Sequence, residues 1–327
     1  MTSARRVILQ AGLAALISCS AMAQDPGSSF PDKPIRIVVG WAPGGSADAF
    51  LRNIYVDLAK QLGVSVVIEN RPGANGTIAH ALVARAPADG YTLILATNST
   101  TAIGEHLYKN LPYRHEKDLA PISLMGRNQL IMTVTSALPV KNVADFIKLA
   151  RQKPGAIDFA TGGNGSTSHL ATELFQQLTD TKMTHVPYKG GGSSVTALAS
   201  GQIHMAFLGD VAAAPQLASG RIRAIAVTGK NRLASMPDVP TMIEAGVPNF
   251  ESITTFELYA PTGTPARVVD KINSAVVATL RDKEVANRLA QHSVEVIASS
   301  PQELRSFTAR ESAKWGDIIR TRNLILD

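Results

Sequence analysis

The stretch Ile37-Val-Val-Gly-Trp-Ala-Pro-Gly-Gly-Ser-Ala-Asp-Ala-Phe-Leu-Arg-Asn53 decides how the rest of the chain is interpreted. A β-branched run ends at Gly40, a Pro-Gly-Gly turn follows, and a helical pattern begins after Ser46. A strand, a glycine turn and a helix start present N–H groups without helical partners, and the helix dipole adds partial positive charge there. The stretch therefore predicts an anion site, although an ordinary strand-to-helix turn accounts for the same residues.

Short apolar runs alternate with helical spacing along most of the chain. Predicted strands cover residues 35–39, 64–68, 92–96, 122–134, 157–160, 183–186, 203–208, 224–227, 256–260 and 294–297. Predicted helices cover residues 47–62, 77–83, 143–150, 167–178, 195–199, 211–217, 269–280, 285–289 and 304–318. Strands that are apolar throughout and alternate with helices predict mostly parallel sheets covered on both faces.

The segment 133–255 has an alternation of its own, which predicts a second domain inserted into the first. We expect an α/β fold of two hinged lobes, each a doubly wound, mostly parallel sheet, joined by two chain crossings. The first lobe takes residues 30–132 and 256–327, and the second takes residues 133–255. Ligands of such sheets bind beyond the carboxyl ends of the strands, so the loops at those ends are the candidate site.

The first 23 residues have the pattern of an export signal that is removed from the mature protein. Arg5 and Arg6 form the charged region, residues 7–17 are apolar, and Ala21-Met-Ala23 fits a cleavage site. The apolar run is shorter than the roughly 20 residues that span a bilayer. We expect a soluble periplasmic protein cleaved after Ala23, with a lipid-bearing Cys19 and a twin-arginine signal as alternatives. Cleavage also removes Cys19, the one cysteine of the sequence, and with it any disulfide or thiol site.

The charge of the chain argues for small acids and against nucleic acid as partners. The formal net charge is +6, of which Arg5 and Arg6 supply two, and the sequence has no block of lysine and arginine. Nucleic-acid-binding chains carry such blocks or stripes, whereas a mild positive excess attracts small anions.

Five loops at predicted strand ends are rich in glycine and hydroxyl groups, namely 41–46, 97–101, 161–169, 188–192 and 209–210. Each supplies neutral N–H and O–H donors, and together they can hold a carboxylate without a buried arginine. A hydrogen bond to a charged group contributes about 1.5–3 kcal/mol. Four or five such bonds leave about −8 kcal/mol, or micromolar binding, after the cost of association. The same loops also fit ordinary connections in which Ser and Thr cap helices.

Patterns for catalysis, cofactors and metals are incomplete. Ser166 and His169 share a helix face, but a triad also needs an acid and an oxyanion hole, and the Gly-x-Ser-x-Gly elbow is missing. Gly163-x-Gly165 lacks the third glycine of a dinucleotide fingerprint, and no Walker lysine follows a glycine-rich run. The seven histidines show no metal spacing. We expect a protein that is not an enzyme and has no cofactor or metal; a hydrolase using Ser166 and His169 is the alternative.

Three further residues have two interpretations each. Asp210 either caps a helix or meets an amine or hydroxyl of a ligand, since it directly precedes a predicted helix. Trp41 and Phe256 either form walls of a cleft or belong to the core, because large aromatic residues serve both purposes.

Longer motifs extend from Phe30 to the end of the chain. They are 31–39 with Pro43-Gly-Gly45 and Asp48, 69–76, 88–92, 111–113 with 117–118, 162–169, 186–190, 233–241 and 261–265. With these motifs the chain resembles the solute-binding proteins of tripartite tricarboxylate transporters, also called Bug receptors. Gly40 stands where that family frequently has a proline, and Ser194 replaces a helix-starting proline, which affects local loop shape and selectivity.

The resemblance implies a two-lobed periplasmic binding protein fold of type II that closes over a small carboxylate. It implies that loop 41–46 grips the ligand, partly through bound waters, and that 161–169, 188–190 and Asp210 supply the contacts of the opposite lobe. The implied partners are the large and small membrane subunits of a transporter, and we expect a monomer. As an alternative, such a receptor serves as the sensory input of a membrane kinase.

The loops and the resemblance together nominate a set of ligand-binding residues. They are Trp41, Ala42, Gly44, Gly45, Ser46, Asn98, Ser99, Thr100, Thr161, Asn164, Ser166, Thr167, His169, Tyr188, Lys189, Gly190, Asp210 and Phe256.

Overall fold

Continuous apolar strands and amphipathic helices alternate in the computed structural model, which describes residues 30–322 and residue 324. The predicted signal, residues 1–23 with Cys19, lies outside the described residues. Within the described part, no helix combines the length and the apolar character needed to cross a membrane.

The strands are β1 (Ile35–Val39), β2 (Val66–Asn70), β3 (Thr92–Ala96), β4 (Leu119–Thr135), β5 (Asp158–Thr161), β6 (Thr184–Pro187), β7 (Met205–Gly209), β8 (Ile222–Val227), β9 (Ile253–Pro261) and β10 (Val294–Val296). The helices are α1 (Ser46–Arg52), α2 (Tyr55–Leu62), α3 (Thr77–Ala84), α4 (Gly104–Leu107), α5 (His115–Asp118), α6 (Val143–Gln152), α7 (Thr167–Thr179), α8 (Gly191–Ala199), α9 (Asp210–Ala218), α10 (Ala266–Arg281), α11 (Lys283–Ala290) and α12 (Pro301–Arg322). A 3₁₀ turn at Ala74–Gly76 and a π-helical turn at Ser99–Ile103 complete the elements.

The strands form two lobes that share β4. In the first lobe β2, β1 and β3 are parallel neighbours, followed by β9 and then β4. In the second lobe β4 pairs with β7, and β7, β5 and β6 are parallel neighbours, while β8 pairs with the other side of β4. The outer strands are parallel as predicted, whereas every pair that involves β4 or β9 is antiparallel.

The antiparallel centre follows from the two chain crossings. β4 carries the chain out of the first lobe and β9 carries it back, so the two strands run in opposite directions side by side from Leu119 to Gln129. From Leu130 onward β4 pairs instead with β7 and β8. The lobe boundaries at 132/133 and 255/256 stay a prediction, because β4 is continuous through the change of partners.

Apolar side chains fill both faces of the second-lobe sheet, as a doubly wound unit requires. Phe146 of α6 and Phe175 of α7 pack against Phe159 and Phe207 on one face. On the other face, residues of α8 and α9 such as Leu198 pack against β7. In the first lobe α3 and α12 contribute to one cluster with β1, β3 and β9.

The helix predicted over residues 47–62 is broken into α1 and α2 at Asn53 and Ile54. One contact at the break comes from a residue that is far away in sequence. Arg288 of α11 donates from Nε (2.8 Å) and Nη2 (2.6 Å) to the carbonyl oxygen of Asn53. A carbonyl satisfied in this way needs no helical partner, so the first helix can end there.

Candidate functional site

The loops after β1, β3, β5 and β6 and the end of β7 surround a cavity of about 360 Å³. Its wall is formed by Trp41, Ala42, Pro43, Gly45, Ser46, Ala47, Asn75, Thr97, Ser99, Leu130, Gly162, Ser166, Thr167, Ser168, Lys189, Gly190, Gly191, Gly192, Ser193, Ser194, Phe207, Leu208, Gly209, Ala212 and Thr254. The cavity thus lies at the carboxyl ends of strands from both lobes, where α/β sheets bind ligands. The Pro43–Gly45 turn faces it.

A buried carboxylate shapes that turn from behind. Gly44 adopts φ +83°, and its N–H donates to Oδ2 of Asp48 (2.9 Å), which also accepts from Arg52 Nε (2.8 Å). Asn70 Nδ2 donates to Oδ1 of Asp48 (2.9 Å). Burial alone would raise the pKa of Asp48, but the hydrogen bonds from Arg52, Gly44 and Asn70 outweigh it and hold that pKa below its usual range. Asp48 is therefore an anion that fixes the turn and lies 1% exposed behind it.

Trp41 forms a wall of the cavity and is fixed by Asn75. The indole Nε1 donates to Oδ1 of Asn75 (3.3 Å), while Nδ2 of Asn75 has no hydrogen-bond partner among the described residues. The two loops approach closely, since a Cβ on Gly40 would lie 2.6 Å from Cα of Gly76. Glycine at position 40 therefore permits a contact that a larger residue would push apart.

The 161–168 loop is held by its own hydroxyl groups. Ser166 caps α7, with its Oγ accepting from the N–H of His169 (3.3 Å). Ser168 Oγ accepts from the N–H of Gly162 (3.1 Å). Thr161 Oγ1 lies 2.6 Å from Nε2 of His185 and accepts from the N–H of Gly163 (3.2 Å). The loop thereby places Ser166, Thr167 and Ser168 on the cavity without a charged side chain.

The start of α8 lacks a side-chain cap. Its N-cap is Gly190, and the hydroxyls of Ser193 and Ser194 donate backward to the carbonyl oxygen of Gly190 at 3.0 and 3.1 Å. Ser194 Oγ also donates to the carbonyl oxygen of Thr161 (2.8 Å). The first N–H groups of α8 therefore keep their donor capacity at a wall of the cavity.

Polar contacts join the lobes beside the cavity. Thr167 Oγ1 donates to Oδ1 of Asn98 (3.2 Å), and Asn98 in turn donates from Nδ2 to the carbonyl oxygen of Ile253 (2.9 Å). Tyr108 OH donates to the carbonyl oxygen of Asn164 (2.8 Å). Residues of the two lobes are therefore in direct contact at the edge of the cavity.

Half of the nominated residues line the cavity, namely Trp41, Ala42, Gly45, Ser46, Ser99, Ser166, Thr167, Lys189 and Gly190. The others lie behind it or to the side, namely Gly44, Asn98, Thr100, Thr161, Asn164, His169, Tyr188, Asp210 and Phe256. Among these, Asn98, Thr100 and Thr161 are buried and hold the loops through hydrogen bonds, and Tyr188 packs on the second-lobe core.

Two of the nominated side chains point to other partners. Phe256 is fully buried and stacks on Phe50 with ring centroids 4.4 Å apart, so it belongs to the core and does not wall the cleft. Asp210 accepts a hydrogen bond from Ser293 Oγ of the first lobe and is not part of the cavity wall. Whether Asp210 also meets a ligand stays a prediction.

The geometry of Ser166 and His169 does not form a nucleophile and base. The hydrogen bond between them runs from the His169 backbone, while Nδ1 of the imidazole accepts from the N–H of Gly165 (3.2 Å). The ring stacks on His185 with centroids 4.1 Å apart. Burial, with a smaller effect of His185, lowers the pKa of His169 to about 3, so the ring is neutral at pH 7.

The apolar part of the wall was not predicted from the sequence. Leu130, Phe207 and Leu208 have the pattern of core strand residues, and each is 5% exposed or less. Their only sequence signal was their position at a strand end. Asn75 belongs to the motif at residues 69–76 but was not among the predicted ligand-binding residues. Its positive φ of +49° marks a turn for which asparagine is suited.

Lys189 is the only ionisable side chain on the cavity wall among the described residues. The same part of the chain contains no group of three His, Cys, Asp or Glu side chains that could hold a metal ion. The cavity therefore offers an anion neutral donors, helix starts and one lysine.

Comparisons with known proteins identify the family of the chain. Residues 50–324 match the family described as the tripartite tricarboxylate transporter family receptor. The chain is 33% identical over 314 residues to the protein BugT of Bordetella pertussis, covering 96% of this chain and 94% of BugT.

Two solved structures share the fold along almost the whole chain. One is a protein of R. palustris with adipate, at 36% identity and a TM-score of 0.88, covering 91% of this chain and 100% of that one. The other is MatC from Rhodopseudomonas palustris with bound malate, at 33% identity and a TM-score of 0.84, covering 89% and 100%. The chain belongs to the tripartite tricarboxylate transporter receptor family.

Proposed function

We propose that this chain is a non-catalytic periplasmic receptor that binds a small organic carboxylate in the cavity and delivers it to a tripartite transporter. One observation carries the proposal: neutral donors from both lobes converge on a single cavity whose wall has one lysine and no acidic side chain among the described residues. Such a site suits an anion that must be released again. Hydrogen bonds to a carboxylate contribute about 1.5–3 kcal/mol each, enough for micromolar affinity from a few bonds.

The relatives support the ligand class. The two solved structures hold adipate and malate, which are both carboxylates. Family membership also supports the partners, which would be the large and small membrane subunits of a transporter. Export to the periplasm rests on the N-terminal pattern of the sequence.

The arrangement of Ser166 and His169, the two residues of the alternative hydrolase hypothesis, supports a non-catalytic role. Ser166 Oγ is used as a helix cap, and Nδ1 of His169 accepts from a backbone N–H. Neither group is therefore placed to activate the other, as nucleophilic catalysis would require.

Calorimetric titration against mono-, di- and tricarboxylates tests the proposal, with at least one acid expected to bind at micromolar affinity. Gly45 is the position to change, because it lies on the cavity wall and a Cβ there would meet only the carbonyl oxygen of Ala42, at 3.6 Å. Gly45→Ala is then the matched control for Gly45→Asp. We expect Gly45→Asp to weaken the acid by at least about a hundredfold through like-charge repulsion, while Gly45→Ala stays within about tenfold.

Binding that is equal in the two Gly45 variants would show that the acid is held elsewhere. A wild-type protein that binds no acid of the panel would refute the receptor proposal as a whole. Circular dichroism of both variants checks that they are folded.

A further inference from the structure

Two asparagines of the sequence are followed directly by glycine, in the pairs Asn75-Gly76 and Asn164-Gly165, and both pairs lie in loops that surround the cavity. An asparagine in such a pair can lose its side-chain amide, because the backbone nitrogen of the next residue lies close to the side-chain carbon and glycine has no Cβ to hinder the approach. Asparagine is accordingly among the thermolabile residues of proteins. The fold holds the two pairs differently, and this difference determines which of them reacts.

The carboxamide of Asn75 is held in place. Its Oδ1 accepts from Trp41 Nε1 (3.3 Å), its Nδ2 is buried, and the residue as a whole is half-buried. The nitrogen that would attack, that of Gly76, donates its N–H to the carbonyl oxygen of Gly73 (2.9 Å). A reaction at Asn75 would therefore have to break these hydrogen bonds and release its amino group from a buried position.

The carboxamide of Asn164 is less restricted. The residue is exposed, and among the described residues its backbone carbonyl oxygen has a hydrogen-bond partner, Tyr108 OH (2.8 Å), while its side chain has none. The N–H of Gly165 donates to Nδ1 of His169 at 3.2 Å, which is a longer hydrogen bond than that of Gly76. The side chain of Asn164 can therefore turn toward the nitrogen of Gly165 in a place that water reaches.

The fold requires a glycine after Asn164. Gly165 has φ +74°, and a Cβ there would overlap Cδ2 of Leu107 and lie 3.1 Å from the hydroxyl oxygen of Tyr108. A larger residue would slow the attack on Asn164, but it would also push Leu107 of the first lobe away from this loop. The contact between the lobes and the reactive pair therefore depend on the same glycine.

We propose that Asn164 is a site of spontaneous modification, at which the asparagine converts to aspartate and isoaspartate while Asn75 stays intact. The nitrogen of Gly165 bonds to Cγ of Asn164 and closes a succinimide ring, and the bond from Cγ to Nδ2 breaks. The amino group leaves as ammonia, together with the proton that the nitrogen of Gly165 gives up. Water then opens the ring, either at Cγ to give aspartate or at the backbone carbonyl carbon to give isoaspartate, in which the main chain runs through the former side chain.

The products change the loop in two ways. Each replaces a neutral amide by a carboxylate, two positions before the wall residue Ser166. Isoaspartate also adds a methylene group to the main chain, and the oxygen that accepts from Tyr108 then belongs to the new carboxylate. Because negative charge opposes an acidic ligand, the modified protein should bind its acid more weakly. This effect on binding rests on the proposed function, whereas the modification itself does not.

Timed incubation of the folded wild type at mildly alkaline pH, followed by proteolysis and peptide mass spectrometry, tests the proposal. The exchange of an amino group for a hydroxyl group changes the mass of each peptide, and methyl labelling specific for isoaspartate identifies the isomer. We expect conversion at Asn164 to be at least about tenfold faster than at Asn75, since the carboxamide of Asn75 must first lose a hydrogen bond of about 1 kcal/mol and release a buried group. An Asn164 that stays intact, or that converts no faster than Asn75, would overturn the proposal.

The same chain unfolded in urea is the matched control for the effect of the fold. The hydrogen bonds that Trp41 and Gly73 make in the folded protein are lost there, so the two pairs should convert at similar rates. A preference for Asn164 that is equally large in urea would show that the fold does not create it, and would overturn the inference.

Asn164→Gln supplies the control for the effect on binding. Its amide sits on a longer side chain and would have to close a larger ring, so position 164 should stay unmodified during the incubation. By calorimetric titration before and after incubation, we expect wild type to lose affinity for its acid by about tenfold on full conversion, and Asn164→Gln to keep the affinity that it had at the start. Equal losses in the two proteins would contradict an effect of the modification on the ligand loop. A wild type that binds no acid before incubation would refute the proposed function, and the peptide masses would still decide the modification.

Discussion

Thr167 and Asn98 join the two lobes directly, because Thr167 Oγ1 of α7 donates to Oδ1 of Asn98 at the end of β3 with a separation of 3.2 Å. Thr167 is on the cavity wall, and Asn98 is fully buried behind it. The hydroxyl group of a residue on the cavity wall is therefore used in a contact between the lobes.

A double-mutant cycle of Thr167→Val and Asn98→Ala measures that bond. One net hydrogen bond contributes about 1 kcal/mol, so we expect a coupling of this size in the binding free energy of the preferred acid. The measurement is the dissociation constant of wild type, both single variants and the double variant. Additive effects would mean that the contact contributes nothing to closure.

Leu170 links the lobes through apolar packing. It belongs to α7, is fully buried, and packs in one cluster with Ile103, Leu107, Trp315 and Ile319 of the first lobe. We expect Leu170→Ala to lower the free energy of unfolding by about 2–5 kcal/mol, since it leaves a cavity in this cluster.

Leu178 supplies the matched control on the same helix, because it is 38% exposed. Leu178→Ala should change the free energy of unfolding by less than about 1 kcal/mol. Denaturant unfolding of both variants makes the comparison, and equal losses would contradict the assignment of Leu170 to a link between the lobes.

His115 should make the protein sensitive to acid. It is buried against Tyr259, with ring centroids 4.5 Å apart, and its Nδ1 has no hydrogen-bond partner among the described residues. Burial, with a smaller effect of His80, lowers the pKa of His115 to about 3 from 6.5. Below pH 6.5 His115 becomes protonated in the unfolded chain but stays neutral in the folded protein. The free energy of unfolding therefore decreases as the pH falls from about 6.5 toward 3.

His115→Phe keeps the aromatic ring and removes the proton site. Between pH 6.5 and 5 we expect wild type to lose about 1.5 kcal/mol more free energy of unfolding than the variant. Urea unfolding at both pH values measures the difference. A variant with the same loss as wild type would show that His115 has the same pKa in the folded and unfolded protein.

Two strands, β1 and β3, could be predicted closely because nearly all of their residues are buried. β1 and β3 begin and end at the predicted residues, since continuous apolar runs of this length between turns have few other uses. The break between α1 and α2 was not predicted, and one of its contacts comes from Arg288, more than 200 positions away along the chain.

The loops that form the candidate site could be predicted from the sequence, but the directions of several of its side chains could not. The glycine and hydroxyl loops do surround one cavity, because they follow strands whose carboxyl ends share an edge. The positions of Phe256 and Asp210 depend on Phe50 and Ser293, which only the folded chain brings near. Whether the lining residues bind a ligand stays a prediction for the Gly45 variants.

Glu257 should lower the stability of the protein as the pH rises, which is the opposite of the pH dependence expected from His115. It lies fully buried on β9, where its carboxyl group accepts from Thr255 Oγ1 (2.5 Å) and Tyr259 OH (3.1 Å). Burial raises the pKa of Glu257 above its ordinary 4.5 and outweighs the hydrogen bonds that lower it. Above about pH 4.5 the unfolded chain releases a proton that the folded protein retains, so the free energy of unfolding falls as the pH rises toward the folded pKa.

Glu257→Gln removes this proton while keeping the shape and an acceptor for Thr255. We therefore expect the stability of Glu257→Gln relative to wild type to increase as the pH rises above about 4.5 and to level off once the pH passes the folded pKa of Glu257, as measured by urea unfolding at several pH values. The His115→Phe variant supplies the contrast, since its advantage should grow in the opposite direction, toward acid. A Glu257→Gln curve parallel to that of wild type would mean that Glu257 has the same pKa in the folded and unfolded protein, and that its hydrogen bonds to Thr255 and Tyr259 cancel the cost of burial.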